Sequence, residues 1–492
     1  MDGRPFQIAI FLGLTALIGF LTWLHCRGPR VHSDNPNRDY FLAGGNLNWM
    51  FVAGSITLTN LSTDQLVGMN GNQLLVVAWW EFAAVAGLLV LAFVFIPIYF
   101  RHTCTTTTEL LERKFGNKYL RGLIAGMFLI SGVVIYMPIM LYTGSLFMKT
   151  MFDIDAPIVV IASVFAIVGS AYAIFGGLRA VAVSDTYSGI GLLGLSLVVV
   201  FLAFKAINFD LSGIPAERLT LIGDSSSPIP WHTLLTGMLF IQIFYWSTNQ
   251  VITQRSMAAP SVKEAQKGIL AAAGIRLLIV PLIIAVPGVI SFKLYGEIPN
   301  DGAYGTIVGD ILPGWLSGAF AAMMAAAVLT SFNSALNSGA ALYVVDIHER
   351  FLKPGANVRR IATIMTIIFV GISLCLVPIY DGSESIIDLV QRLNGLLSMP
   401  ILSAFIVGLL FRNVSAYAAI AAVIFGIIFY AGAISIFKES APHYIHMMFI
   451  TLISCIAFAL LINRVIFGRK AEFSLEELRN TPTENRSHKI HG

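Results

Sequence analysis

Apolar runs of about 20 residues, the length a helix needs to cross a hydrocarbon core, recur along this chain from Phe6 to Phe467. The pattern predicts about 13 spans, near 6–26, 47–75, 78–100, 120–148, 156–176, 182–205, 231–253, 266–292, 313–343, 360–380, 386–411, 414–437 and 443–467. Most connections between them are short. The expected fold class is therefore an all-α polytopic membrane protein. The first run lacks a small-residue cleavage site and ends at the basic stretch CRGPR, so it reads as a retained helix rather than a signal peptide.

If the spans alternate in direction, the loops at 27–46, 101–119, 177–181, 254–265, 344–359 and 412–413 share one side with the tail after 463. That side holds 23 of the 31 Lys and Arg residues, counting Arg121, Lys267 and Arg360 at the first turns of spans. The other side holds Arg4, Lys149, Lys205, Arg218, Lys293 and Lys438. Basic residues concentrate on the cytoplasmic side of membrane proteins. The expected location is the plasma (inner) membrane, multi-pass, with the N-terminus outside and the C-terminus cytoplasmic.

Composition agrees with the pattern: 57% of the residues are hydrophobic and 12% charged, against about 25% charged in soluble domains. The outer loop 206–230 is too short and turn-rich to hold an enzyme, and the tail from Gly468 is polar, with FSLEELRN as a short surface helix. No nucleophile–base pair or phosphate loop lies outside the spans, so an enzyme is not expected, and neither is a nucleic-acid partner. Cys26, Cys104, Cys375 and Cys455 are scattered through or near apolar segments without metal spacing. They read as small buried hydrophobes.

Polar groups inside spans are costly and usually face the protein interior or a wet cavity. Four clusters break the apolar pattern. The densest is ITLTNLSTDQLVG, Ile56 to Gly68, where Thr57, Thr59, Asn60, Ser62, Thr63, Asp64 and Gln65 crowd one span. Helix–helix hydrogen bonding could use such residues. A broken helix with free carbonyls for a cation accounts better for the Asp and the Gln. The second is AAAVLTSFNSALNSG, Ala325 to Gly339, a stripe of small residues that either seats a neighbouring helix or offers hydroxyl oxygens to a hard cation such as sodium.

The third cluster comprises the single residues Glu81, Asp185, Arg276 and Gln391. Glu81 and Arg276 could form a structural pair, and Asp185 and Gln391 could sit at interfaces. Taken with Gln65, the set offers the many donors and acceptors a polyhydroxylated ligand needs. The fourth is FIQIFYWSTNQVITQR, Phe240 to Arg255, where Gln242, Asn249 and Gln250 surround Tyr245 and Trp246. This pair is either an interfacial belt or a stacking platform for a sugar ring.

With RDYFLAGG, NLSTDQLVG, FGGLRAVAVSD, NQVITQRSMAAPSVKEAQKGI and TSFNSALNSGAALYVVDI in this order, the chain resembles the sodium/solute symporter family, most closely its sodium/sugar branch. The resemblance covers nearly the whole chain. It implies a LeuT-like five-plus-five inverted repeat: 1–46 the first span and a cytoplasmic loop, 47–205 the first half, 206–230 the extracellular loop, 231–413 the second half, 414–467 two peripheral spans and 468–492 a cytoplasmic tail. It also implies a sodium ion held by the carbonyls of Leu58, Leu61 and Ala327 and the hydroxyls of Thr330 and Ser331, with Asp185 on the ion's exit path. Substrate-binding residues match as Gln65, Glu81, Gln242, Arg276 and Gln391, with Asn60 bridging sugar and ion. Tyr245, beside Trp246, matches the inner gate, and Met69 and Trp80 the outer gate.

The chain departs from that pattern at several positions. Gln242 stands for an Asn, Arg276 for a Lys, Ala84 for a sugar-contacting serine and Ile387 for a gate aromatic. Arg is a planar fork suited to carboxylates where Lys is a point charge. The expected partners are a sugar or sugar-like small molecule, sodium and the lipid bilayer. Coupling to protons through Asp64 or Asp185, an acidic sugar as substrate, and a solute sensor that does not transport remain alternatives at this point.

Overall fold

A computed structural model describes residues 4–27, 36–299, 301–355, 357–381, 386–437 and 442–479. Ten helices among the described residues are long and apolar enough to cross a membrane. The chain begins with α1 (Arg4–Cys26), then breaks its next span into α2 (Trp49–Asn60) and α3 (Thr63–Gly71). Leu61 between them has φ −75° and ψ 66°, outside the helical region, so the hydrogen-bond ladder stops where the polar knot predicted it would.

Next come α4 (Leu75–Arg101), the short α5 (Thr107–Phe115) and α6 (Lys118–Phe152). Both α4 and α6 carry a π-helical turn, Leu91–Phe95 and Ser131–Tyr136, and each ends two residues before a proline, Pro97 and Pro138. A proline lacks the N–H that would bond four residues back, and a π turn absorbs the missing bond. The second of these turns ends in Tyr136.

The following run, α7 (Ile158–Ala206), is helical for 49 residues, so the loop expected at 177–181 is helical backbone. A straight helix of that length would reach about 73 Å, far beyond a core of about 30 Å. Yet a Cβ at Gly169 would lie 3.0 Å from Phe332 and 3.2 Å from Asn333, while Asp185 meets Thr330. Two points about 24 Å apart along a straight helix thus sit at one level of the neighbouring helix. The run folds back on itself between them, and its helical turns replace the loop.

The second half opens with α8 (Gly237–Ser247) and α9 (Gln250–Met257), again one span in two pieces. It continues through α10 (Val262–Tyr295), α11 (Ala303–Ile311), α12 (Gly314–Leu352), α13 (Val358–Tyr380) and α14 (Ile386–Leu410). α15 (Ala416–Phe437) and α16 (Tyr444–Val465) follow. α12 is the hub, packed against α1, α7 and α6, with a core of alanines and glycines that lets these helices come close.

The loops expected to share one side do meet. Arg121 joins Asp346 (2.5 Å), Glu112 (2.7 Å) and Glu109 (3.1 Å), and Asn37 donates to Glu349. The Trp49 amide donates to Glu264. Glu477 pairs with Arg101 and Lys114, and a two-residue ladder joins β1 (Phe411–Arg412) to β2 (Glu472–Phe473). On the opposite side, Asp210 pairs with Lys293, and hydrogen bonds from Ser212 and Lys293 hold its carboxyl at about 2. Of the cysteines, Cys104 and Cys455 are buried and Cys26 is half-buried, but Cys375 is exposed on α13. The expectation of four buried thiols fails there, because the apolar exterior of a membrane helix tolerates a cysteine as readily as its interior.

Candidate site between the two broken helices

One cavity of about 80 Å³ lies between the breaks. Asn60, Gln65, Met69, Trp80, Glu81, Gln242, Tyr245, Trp246 and Gln391 all line it, together with Asp64 and Ile387. The residues expected at the outer gate and at the inner gate therefore border the same space. Met69, Trp80 and Trp246 are buried and Tyr245 is half-buried.

The walls are tied together by a ring of polar contacts. Gln65 Nε2 donates to Glu81 Oε1, and Arg276 Nη1 donates to Glu81 Oε2 at 2.5 Å. The Arg276 guanidinium lies 4.5 Å over the Trp246 ring and gives a second bond, 3.1 Å, to the Thr57 carbonyl. Trp246 Nε1 donates to Gln242 Oε1 at 2.9 Å, and Gln242 Nε2 donates to the Trp80 carbonyl at 3.1 Å. The ring thus passes through α3, α4, α10 and α8. A buried charge needs such pairing, because removing either partner strands the other in low dielectric.

Arg276 is where the geometry departs from expectation. Its side chain is fully buried and does not line the cavity; it stands behind Glu81 and Trp246. Its two Nη groups are engaged by a carboxylate and a carbonyl, while Nε has no partner among the described residues, so it holds the wall rather than lining the cavity. Ala84 is likewise buried outside the lining.

Several polar atoms at the cavity remain unpaired. Asn60 donates through Nδ2 to the Tyr245 hydroxyl at 2.8 Å, but its Oδ1 has no partner among the described residues. Gln65 Oε1 and Ser398 Oγ are also buried and unpartnered. Asp64 accepts from the Ser62 hydroxyl. Acceptors of this kind call for hydrogen-bond donors, since a buried unsatisfied polar atom costs about 1–3 kcal/mol. Asn394, Ser398 and Tyr136, none of them singled out from the sequence, complete the polar lining. A signal existed: Gln391, Asn394 and Ser398 are spaced i, i+3, i+7, one face of a helix.

A second, smaller cavity of about 40 Å³ shares Tyr136, Phe244 and Tyr245 with the first. It extends past Asn249, Gln250 and Ser338, and Gln250 accepts from the Thr107 amide on the side of the basic loops. The two tyrosines and Phe244 therefore form a wall between a central chamber and one nearer that side.

The break between α2 and α3 also faces α12. Ser331 Oγ lies 3.5 Å from the Thr59 carbonyl, and Thr330 Oγ1 donates to the Ala327 carbonyl at 3.2 Å. Leu58, Leu61, Ala327 and Ser331 are fully buried. Asp185 on α7 accepts from Ser55 at 2.6 Å and, weakly, from Thr59 at 3.4 Å. Among the described residues no three His, Cys, Asp or Glu side chains cluster as a transition-metal site. Hydroxyl and carbonyl oxygens at a helix break are instead the donor set of a hard monovalent cation.

Residues 40–426 match the model of the sodium:solute symporter family. The chain is 35% identical to the uncharacterized symporter YidK of Escherichia coli (strain K12) over 448 residues, 86% of this chain and 78% of that one. It is 29% identical to the sodium/glucose cotransporter of Vibrio parahaemolyticus, over 92% and 88% of the two chains. It is 28% identical to the sodium/myo-inositol cotransporter 2 of Mus musculus, over 80% and 64%. Among solved structures, a Na⁺-coupled sialic acid symporter in a substrate-bound outward-open state superposes with a TM-score of 0.80 at 19% identity, over 94% of this chain and 98% of that one. A nucleobase-cation-symport-1 family transporter follows at 0.57 and 13%, over 88% and 96%. These likenesses establish the fold, an all-α transporter fold with paired inverted repeats. With nearly four fifths of its length matched and its broken helices in place, the chain belongs to the sodium:solute symporter family.

Proposed function

We propose that this protein is a sodium-coupled secondary active symporter that imports a neutral, polyhydroxylated solute, a sugar or an inositol-like ring, by alternating access. The observation that carries the solute class is the set of unpaired buried acceptors on the cavity, Asn60 Oδ1 and Gln65 Oε1, beside the aromatic side chains of Tyr245 and Trp246. Hydroxyl groups would satisfy the amides while C–H faces lie on the rings.

In this reading sodium binds at the α2–α3 break, to the carbonyls of Leu58, Leu61 and Ala327 and the hydroxyls of Thr330 and Ser331. Holding the break would order Asn60 and Gln65 on its other side. The Tyr245 wall then opens toward the second chamber, with Met69 and Trp80 closed behind the solute. One charge moving through 100 mV yields about 2.3 kcal/mol, enough to concentrate a neutral solute roughly fiftyfold.

The second reading is an acidic sugar. One structural neighbour is described as a sialic acid symporter, and Arg276 suits a carboxylate by type. Against it, Arg276 is already paired with Glu81, and Asp64 adds a further carboxyl to the lining. A thermal-shift screen of neutral sugars, inositols and acidic sugars, with sodium or choline, separates the two. The proposal expects a neutral polyol to stabilise the protein only with sodium. Stabilisation by acidic sugars alone would overturn it.

A further inference from the structure

Behind the α2–α3 break lies a second pair of buried charges that is not part of the cavity wall. Arg255, on α9, and Asp185, on α7, are both fully buried. They are joined through one hydroxyl: Arg255 Nε donates to Thr59 Oγ1 at 2.8 Å, and Thr59 Oγ1 faces Asp185 Oδ2 at 3.4 Å. Ser55 donates to the same carboxylate oxygen at 2.6 Å, and Thr330 lies against the carboxyl.

The pairing is incomplete on both sides. Arg255 Nη1 is spent on the Val251 carbonyl of its own helix, while Nη2 has no partner among the described residues. Asp185 Oδ1 likewise makes no well-formed hydrogen bond. A buried cation and a buried carboxylate are therefore held within one hydroxyl of each other, each with a free donor or acceptor in reserve. Thr59 is also the residue whose carbonyl meets Ser331. One residue, Thr59, thus touches both the Ser331 hydroxyl proposed to hold sodium and this charge pair.

We infer that Arg255 is a tethered cation that competes with sodium for Asp185. This rests on the reading of the break as the sodium site. One carboxylate cannot neutralise two cations in a low-dielectric interior. Sodium drawn toward Asp185 displaces the guanidinium, and the guanidinium returning to Asp185 expels sodium. Because Arg255 sits on α9, just past the break that follows Tyr245, this exchange links the ion's presence to the helix bearing the aromatic wall. Arg255 is a positioning residue here: it touches neither solute cavity.

The test is sodium binding to the full-length purified protein, read by ²²Na⁺ binding and by sodium-induced thermal shift, with potassium and choline as controls. Arg255→Gln removes the competitor and strands Asp185, so the sodium concentration for half-saturation should fall about tenfold, within the usual range of site-to-site coupling. Its thermal shift on adding sodium should exceed that of the native protein, and Arg255→Lys should restore native values. If Arg255→Gln cannot be purified even at high sodium, Thr59→Val decides, since it deletes only the bridging hydroxyl; half-saturation should move in the same direction by a few-fold. Unchanged or weakened sodium binding in the variant that is read overturns the inference. A native protein that binds no sodium overturns both this inference and the sodium reading itself, whereas native binding without a shift in the variant overturns the inference alone.

Discussion

The two broken spans carry similar residues and are built differently. At the second break, Thr248 Oγ1 bonds back to the Phe244 carbonyl at 2.7 Å, and Asn249 caps α9 by accepting from the Val251 amide at 3.0 Å. Asn249 thus meets an orphan amide at the start of α9, and the Ser247 carbonyl at the end of α8 accepts from the Tyr99 hydroxyl of α4 at 2.9 Å. At the first break, Ser62 stands at the N-cap of α3 without capping it; its hydroxyl turns to Asp64 instead. In the proposed mechanism the capped, closed break, just past the wall residue Tyr245, serves as the hinge, and the uncapped, open break offers its oxygens to sodium. The repeat gives one feature twice, and capping divides its labour.

The sharpest way to break this contrast is Arg276→Met. Arg276 touches both spans, through the Thr57 carbonyl before the first break and the Trp246 face before the second. Removing it leaves Glu81 buried and unpaired, a loss of about 3–5 kcal/mol. Denaturation in detergent should show it, and a loss under about 1 kcal/mol would mean that the two breaks are not joined there.

Thr330→Ala and Ser331→Ala address the open break. Each removes one hydroxyl from the proposed sodium shell, a contact to charge of about 1.5–3 kcal/mol. The half-saturating sodium concentration should rise at least about tenfold, and sodium-driven accumulation in proteoliposomes should disappear. Uptake equal to native in both variants would remove sodium from this break. Tyr245→Phe deletes the bond from Asn60, about 1 kcal/mol, and should speed solute exit while leaving sodium affinity as it was. Asn249→Ala, the smallest change, costs the closed break its cap, about 1 kcal/mol. It should lower the melting temperature by about one degree without altering sodium affinity; a change in sodium affinity would erase the distinction between hinge and site.

What the sequence disclosed follows from how polar residues were grouped. The knot from Thr57 to Gln65 was legible because so many polar side chains in one span have no other economical explanation. The second break was not: Ser247, Thr248, Asn249 and Gln250 lie across it, but the amides read as the surroundings of an aromatic platform, and Thr248 and Asn249 bond to their own span. Tyr136, Asn394 and Ser398 escaped notice as single residues in apolar runs, although α14 sets the latter two on the face of Gln391. Arg276 was recognised, but its direction was not. A span pattern reports depth in the membrane, and only packing shows whether a guanidinium faces the chamber or stands behind its wall. The reversal within α7 was legible as a division between two apolar runs near 177–181, but that it is made in helical backbone was not.

The central claim is that an open break binds sodium and thereby drives a neutral solute through the chamber beside it. Its most direct test is uptake of a labelled neutral polyol, identified in the binding screen, into proteoliposomes at constant pH and fixed membrane potential. An inward sodium gradient should drive accumulation above the external concentration, a potassium or choline gradient should not, and Thr330→Ala should abolish the difference. Accumulation that ignores the sodium gradient, or binding without any uphill entry, would contradict the account.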